Sequence, residues 1–372
     1  MRLQLLGGLS PRAFLRRYWQ KRPLFVPRAL PGFGGVIDKR ALAALAVRDD
    51  VESRIVERHG KRRETRQGPF EKVTLAKGHS TLLVSGVNLH LDAADALLRR
   101  FAFVPQARLD DVMVSYATPG GGVGPHVDSY DVFLLQGHGR RRWQISGQKD
   151  HSFVPGLDLK ILERFAPERE MLLEAGDMLY LPPGVAHHGV AESECLTWSI
   201  GFRAPNDAEL VAGFLDFLHE RLEPRGQYGD AGEAPARHPG EIPARLLEHA
   251  ERAMDAIGWT PAQVREFAGR FLSDPKAQVY FTAPRRALAR AQFARRCAAT
   301  GLALDARSRL LFSGTMFFLN GEVAPAPAKA RTWLSRLADE RRLEGAIEAP
   351  AEFWDLAHAW YLQGFLHPGE EK

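Results

Sequence analysis

Cysteine is scarce: two residues, Cys195 and Cys297, in a chain of 372. A disulfide framework is therefore excluded, and no CxxC pair exists to hold a metal through thiolates. Long apolar runs are missing too, so no membrane span is expected. The opening MRLQLLGGLSPRAFLRRYW has apolar residues but no sustained hydrophobic region before a small-residue cleavage site. A cytoplasmic protein, with no membrane role, is the simple expectation. No internal repeat of fixed period occurs. What is present is ordinary for a globular protein: 45% hydrophobic and 26% charged residues, which excludes disorder. Lys and Arg outnumber Asp and Glu by 50 to 45, a net charge of +5. That balance suits approach to an anionic surface such as RNA, or it reflects an Arg-rich and Ala-rich composition with no special partner. The length exceeds one typical core and points to two or three domains.

Three regions differ in pattern. At 10–26, Ser10 caps a helix with Pro11 at its first position, the helix ends before Pro23, and Leu24-Phe25-Val26 enters a strand. Over 110–204, short apolar or alternating runs follow one another: VMVSY, VFLLQ, RRWQI, MLLE, MLYLP, HHGVA and CLTWSIGF, separated by turns such as GHGR and PPG. Many short strands at close spacing mean an all-β barrel or sandwich. After Pro205 the period becomes helical. Asn206 caps a segment with Leu210, Phe214, Leu215, Leu218 and Leu222 on one face. A Pro/Gly-rich stretch at 224–240 reads as a surface loop, and helices follow near 243–257 and 260–272. From Asp274 onward helices mix with a hairpin. Leu310–Phe312 and Met316–Leu319 are strand-like, Asn320-Gly321 is a turn dipeptide, and helices are expected near 328–341 and 352–366.

The chemistry-bearing segment is GPHVDSYDVFLLQGHGRRRW at 124–143. On a strand, His126 and Asp128 project to one face, roughly 6–7 Å apart, and can converge on one metal ion. His187, presented after a strand and a Pro-Pro-Gly turn, is the best third ligand. Two imidazoles and one carboxylate make the facial triad of non-heme iron(II) oxygenases, which leaves open positions on the metal. His188 is the runner-up, but neighbouring strand residues face opposite ways, so it should point outward. His138 and His151 are expected on the surface. An isolated His-x-Asp carries little information; this one opens a β-rich region that also holds a turn-presented histidine. Such an iron centre needs an electron-donating cosubstrate. 2-Oxoglutarate would need a buried cation for its distal carboxylate, and Arg141 shares inward parity with Trp143. The hydroxyls of Ser115, Thr197 and Ser199 are further candidates for cosubstrate contact.

At these residues the sequence resembles the JmjC-type cupin oxygenases, and within them the bacterial ribosomal oxygenases. The resemblance rests on FLRRYWQKRPLFV, DDVMVSYATPGGGVGPHVDSYDVFLLQGHGRRRW, LEAGDMLYLPPGVAHHGVA and SIGFRAPN, spanning about 13–206. It implies a mixed α and β fold. A double-stranded β-helix catalytic domain covers 1–205, a helical dimerisation segment 206–273 and a winged-helix-like domain 274–372. It implies iron(II), 2-oxoglutarate and O2 as cofactors, with His126, Asp128 and His187 as iron ligands and Arg141 on the distal carboxylate. It implies hydroxylation of an arginine of the large-subunit ribosomal protein L-sixteen, and a homodimer. Two positions depart from the family pattern: His188, where an acidic residue is usual, and Ala117, where a hydroxyl residue can occur.

An arginine substrate calls for an acidic and aromatic pocket mouth. Asp111, Tyr116, Tyr130 and Asp131, with Asp110, lie near enough in sequence to supply it. Asp110 and Asp111 equally suit the mere start of a strand. Five arginines within 285–296 offer a helix face toward rRNA phosphates, or a solvated face. Other classes remain open at this point: a JmjC-type demethylase or hydroxylase of another protein, a zinc cupin isomerase or hydrolase, and a non-catalytic metal-binding cupin regulator acting through its C-terminal domain.

Overall fold

The computed structural model describes residues 3–369 apart from 61, 76, 77, 158 and 224. Helix α1 (Pro11–Arg17) starts where expected: the Ser10 hydroxyl accepts from the Ala13 N–H at 3.2 Å, and Pro11 needs no partner for its nitrogen. Strand β1 (Leu24–Val26) follows, then α2 (Lys39–Leu45), whose cap is Asp38. Strands β2 (Ser53–His59), β3 (Arg62–Gln67) and β4 (Ser80–Val84) and helix α3 (Asp92–Arg99) lead to the barrel strands. These are β5 (Leu109–Ala117), β6 (Val132–His138), β7 (Arg141–Ser146), β8 (Arg169–Leu173), β9 (Met178–Leu181), β10 (Ala186–Ala191) and β11 (Cys195–Phe202). Each of the seven runs read from the sequence lies on one of them, shifted by up to three residues at the ends.

Two antiparallel sheets form. The larger has the order β1-β9-β6-β11-β5-β4-β2-β3, and the smaller β10-β7-β8. They close on a shared apolar layer of Val132, Leu134, Leu179 and Leu181 from the large sheet and Trp143, Ile145 and Leu173 from the small one. This is the expected double-stranded β-helix. The outer face of the large sheet buries a second, bigger core, including Phe14, Phe101, Phe133, Tyr180, Trp198 and Phe202. β11 lies between β5 and β6, so all eight of its residues are buried. Val112, Val114 and Tyr116 of β5 and Leu196, Trp198, Ile200 and Phe202 of β11 enter that outer core, while Met113, Ser115, Ser199 and Gly201 line the barrel interior.

Beyond the barrel, α4 (Asp207–His219) begins with a capping box between Asn206 and Glu209. Helices α5 (Ala244–Asp255) and α6 (Pro261–Ser273) follow the Pro/Gly-rich stretch, whose first residue, 224, lies outside the described residues. The C-terminal unit contains α7 (Arg290–Thr300), β12 (Leu302–Leu304), β13 (Leu310–Ser313), β14 (Met316–Leu319), β15 (Glu322–Ala324), α8 (Arg331–Glu340), β16 (Arg342–Leu343), α9 (Ala351–Leu362) and β17 (Leu366–Pro368). Asn320-Gly321 turns β14 into β15, both residues at positive φ (52° and 86°), so the expected hairpin is a three-stranded meander. A separate core built on Phe293, Phe317, Leu334, Phe353 and Trp360 holds this unit together. Among the described residues no helix is long and apolar enough to cross a membrane.

Candidate metal centre

His126, Asp128 and His187 come together. One ligand atom from each lies within 4.8 Å of the others. The His126 Nε2 is 3.8 Å from one Asp128 oxygen and the His187 Nε2 is 3.6 Å from the other. The local route differs from the strand expected for His126 and Asp128. Both lie in the irregular connection between β5 and β6, and His126 forms an isolated antiparallel bridge with His187. The two exchange backbone hydrogen bonds of 3.0 and 2.9 Å, and the Gly184 N–H binds the Asp128 carbonyl at 2.9 Å. The loop is thus pinned to the Pro-Pro-Gly turn and the start of β10, and convergence is achieved without a strand.

Backbone carbonyls set both imidazoles. His126 Nδ1 lies 2.9 Å from the Gly124 carbonyl and His187 Nδ1 lies 2.9 Å from the Val185 carbonyl. A carbonyl can only accept, so each Nδ1 carries the proton and each Nε2 lone pair faces its neighbours. His187 is 2% exposed, and burial pushes its pKa down to about 4, with the His126 ring adding to the effect and Asp128 opposing it. It is a neutral donor at physiological pH. His188 points to the other side of β10, against Phe165, as parity requires. His138 is exposed, whereas His151 is half-buried with its Nε2 3.0 Å from the Gln148 carbonyl.

The three residues open into a cavity of about 460 Å³ inside the barrel. Arg141 enters it from β7, 5% exposed, with its guanidinium 5.7 Å from the Trp143 ring centre. Its Nη1 donates to the Ser115 hydroxyl at 3.1 Å. Its buried Nε and Nη2 have no hydrogen-bond partner among the described residues. A buried guanidinium with two unused donors in a cavity is a receptor for an anion. Ser115 and Ser199 line the same space. Thr197 does not reach it: its hydroxyl donates to the Gln136 side chain at 2.9 Å, deeper in the wall. Ala117 packs with Ala191 and Cys195.

Of the residues expected at the pocket mouth, Tyr130, Asp110 and Asp111 line the cavity. Tyr116 and Asp131 do not. Tyr116 follows inward-facing Ser115 on β5, so it faces the outer core with Lys39 5.7 Å from its ring. Asp131 precedes inward-facing Val132 and is completely buried on the far side. There it accepts from the Tyr180 hydroxyl at 2.6 Å, Gln20 at 3.2 Å and Arg108 at 3.3 Å, a structural anchor for the chain's beginning. Other lining residues had gone unread: Glu52 and Arg54 at the start of β2, Thr81 on β4, and Lys276 from the C-terminal part. The adjacent β-branched Ile55 and Val56 within SRIVERH were a weak signal for β2. Lys276 had none, being 165 residues from its partner Asp111.

Residues 96–210 match the JmjC domain family and residues 250–367 the ROXA-like winged helix family. The chain is 37% identical over 275 residues to the ribosomal protein uL16 3-hydroxylase of Escherichia coli K12, covering 73% of each chain. The solved structure of E. coli YcfD aligns with 96% of this chain and 98% of its own at 32% identity and a TM-score of 0.83. The ribosomal oxygenase YcfD in complex with cobalt and 2-oxoglutarate aligns over the same shares, with a TM-score of 0.80.

Proposed function

The chain belongs to the JmjC ribosomal oxygenases, iron(II)- and 2-oxoglutarate-dependent hydroxylases of ribosomal proteins, and on that premise we propose that His126, Asp128 and His187 hold the iron while Arg141 receives the distal carboxylate of 2-oxoglutarate. One observation carries this reading. Two imidazoles with fixed tautomers and one carboxylate face a cavity that also contains a buried guanidinium with unused donors. The donor set fits iron(II): two borderline nitrogens, one hard oxygen, no thiolate. Bound iron would couple O2 and the decarboxylation of 2-oxoglutarate to succinate with insertion of one oxygen atom into a substrate C–H bond.

The protein's own work is placement. The Gly124 and Val185 carbonyls hold the imidazoles in the ligating tautomer. Arg141 orients the cosubstrate, with Ser115 fixing the guanidinium and Ser199 lining the same cavity. Thr197 acts one layer back, through Gln136. The substrate in this reading is an arginine of uL16. Its guanidinium would meet Asp111, with Tyr130 beside it at the mouth. The domains are taken as 1–205, 206–273 and 274–372, the last two meeting where α6 packs on the β13–β15 meander. A cytoplasmic location follows from a ribosomal-protein substrate.

A homodimer is part of the same proposal. Val211 and Leu215 on α4 are each 58% exposed, Met254 on α5 63% and Trp259 58%, and α5 buries no residue at all. An apolar surface of that extent marks an interface, and a second copy of the helical segment would cover it. Proximity to rRNA rests on Arg285, Arg286, Arg295 and Arg296, which are exposed, while Arg290 is tied to Asp355 at 2.8 Å. Salt-insensitive or absent RNA binding would remove that part. The assignment of the centre is tested by binding iron(II) and 2-oxoglutarate to the wild type and to His126→Ala and Arg141→Met under anaerobic conditions. Loss of iron in the first and of 2-oxoglutarate alone in the second is expected; retention of both ligands by both variants would overturn it.

A further inference from the structure

Lys276 lies just past the end of α6, in the segment that leads into the C-terminal unit, yet it lines the catalytic cavity. Its ammonium reaches Asp110 at 3.3 Å and Asp111 at 3.2 Å. The position is well fixed. Ser273, completely buried, accepts from the Gly321 N–H at 3.2 Å, which ties the end of α6 to the β14–β15 turn. Arg309 donates to the Leu109 carbonyl at 2.7 Å, which ties the same unit to the start of β5. The ammonium therefore meets the acidic pair through two rigid attachments rather than by a free side-chain reach.

The Asp111 carboxylate is held asymmetrically. One oxygen, Oδ2, accepts both from the Gly86 N–H at 2.9 Å and from Lys276. The other, Oδ1, has no hydrogen bond among the described residues. It lies 3.4 Å from where a Cβ on Gly201 would be, beside another residue of the cavity wall. Burial raises the Asp111 pKa, and the Lys276 ammonium and the Gly86 N–H oppose that rise. Two adjacent carboxylates in such a place would otherwise repel each other and favour protonation.

We infer that Lys276 is a positioning residue for the substrate: it clamps Asp110 and Asp111 so that one ionised oxygen of Asp111 faces the cavity, ready for a cationic side chain. This rests on the reading of the cavity as a guanidinium site. The winged-helix side of the molecule then completes the substrate pocket, and the substrate contact is preorganised rather than formed on arrival. Gly86 supplies the neutral half of the clamp and Lys276 the charged half.

The test uses full-length enzyme with iron(II), 2-oxoglutarate and the organism's own uL16, comparing wild type, Lys276→Met and Lys276→Arg. A charged hydrogen bond lost from the support of Asp111 predicts a KM for uL16 raised roughly tenfold in Lys276→Met. The affinity for 2-oxoglutarate, read in the same preparations, should stay within about threefold and reports that the barrel is folded. Lys276→Arg should recover most of the loss, because a cation is restored. A Lys276→Met KM within about twofold of wild type would overturn the inference, as would a lowered KM, which would make Lys276 a competitor of the substrate cation. Equal defects in the Met and Arg variants would also overturn it, since charge would then be irrelevant. If the wild type leaves every arginine of uL16 unmodified, the guanidinium reading itself fails, and the wild-type arm alone reveals that.

Discussion

Replacing Arg141 with methionine removes a cation that the fold keeps 5% exposed and gives no carboxylate partner among the described residues. Its side chain makes one hydrogen bond, to Ser115, and two of its buried donors are unused. If those donors serve the distal carboxylate of 2-oxoglutarate, the variant forfeits a charge-assisted interaction of about 1.5–3 kcal/mol. That corresponds to a roughly 10- to 150-fold rise in the dissociation constant. Anaerobic titration of 2-oxoglutarate into the iron(II) enzyme, followed by absorbance or calorimetry, measures it. Stability should move the other way. An unpaired buried charge is costly, and methionine fills a similar space without one, so the thermal midpoint without cosubstrate should hold or rise. Arg141→Lys should fall between, because an ammonium cannot offer the planar fork. A dissociation constant within about threefold of wild type would refute the reasoning. So would weakened binding accompanied by a collapsed thermal midpoint, since the loss would then report misfolding.

Removing a metal ligand should be more severe. His187→Ala and Asp128→Ala are expected to lose iron by more than the roughly 10- to 100-fold that follows loss of an outer hydrogen bond, measured as metal content after dialysis. Gly189 sits on β10 two residues after His187, and a Cβ there would lie 2.7 Å from the Trp143 ring. Gly189→Ala should therefore cost about 1–3 kcal/mol of stability and weaken iron binding together, as seen in thermal melts with and without metal; unchanged melts would contradict the packing described. Val211→Asp with Leu215→Asp should convert a dimer to a monomer in light scattering, while a wild type that is monomeric at micromolar concentration would dispose of the helical interface.

The barrel was legible because alternation survives in the sequence. CLTWSIGF carries the period of two, VFLLQ is a short apolar run buried on both faces, and strand parity also predicts that His187 and Arg141 face inward. The same rule applied strictly would have excluded Tyr116 and Asp131: Ser115 and Val132 face the cavity, so their neighbours cannot. Nearness in chain was a poorer guide than parity. His126 and Asp128 were identified by residue type, but their loop was not legible, since an isolated bridge between His126 and His187 is a long-range pairing with no local pattern. β2 and β4 were hidden for a different reason. β2 mixes charged and apolar residues, with Arg54 lining the cavity and Ile55 entering the core, while β4, STLLV, is short and buried along its whole length, with Leu83 lining the cavity and Leu82 and Val84 in the core. Lys276 is placed by the packing of one unit on another, which short-range sequence does not encode.

The central claim is that His126, Asp128 and His187 form the iron centre of a hydroxylase acting on an arginine of a ribosomal protein. Its most direct test is mass spectrometry of the organism's own uL16 after incubation with purified enzyme, iron(II), 2-oxoglutarate and O2, with His126→Ala in parallel. The account predicts one added oxygen atom on a single arginine, succinate formed in step, and neither with the variant. Oxygen added to a different kind of residue would contradict the substrate assignment, and oxygen added equally by His126→Ala would contradict the metal centre.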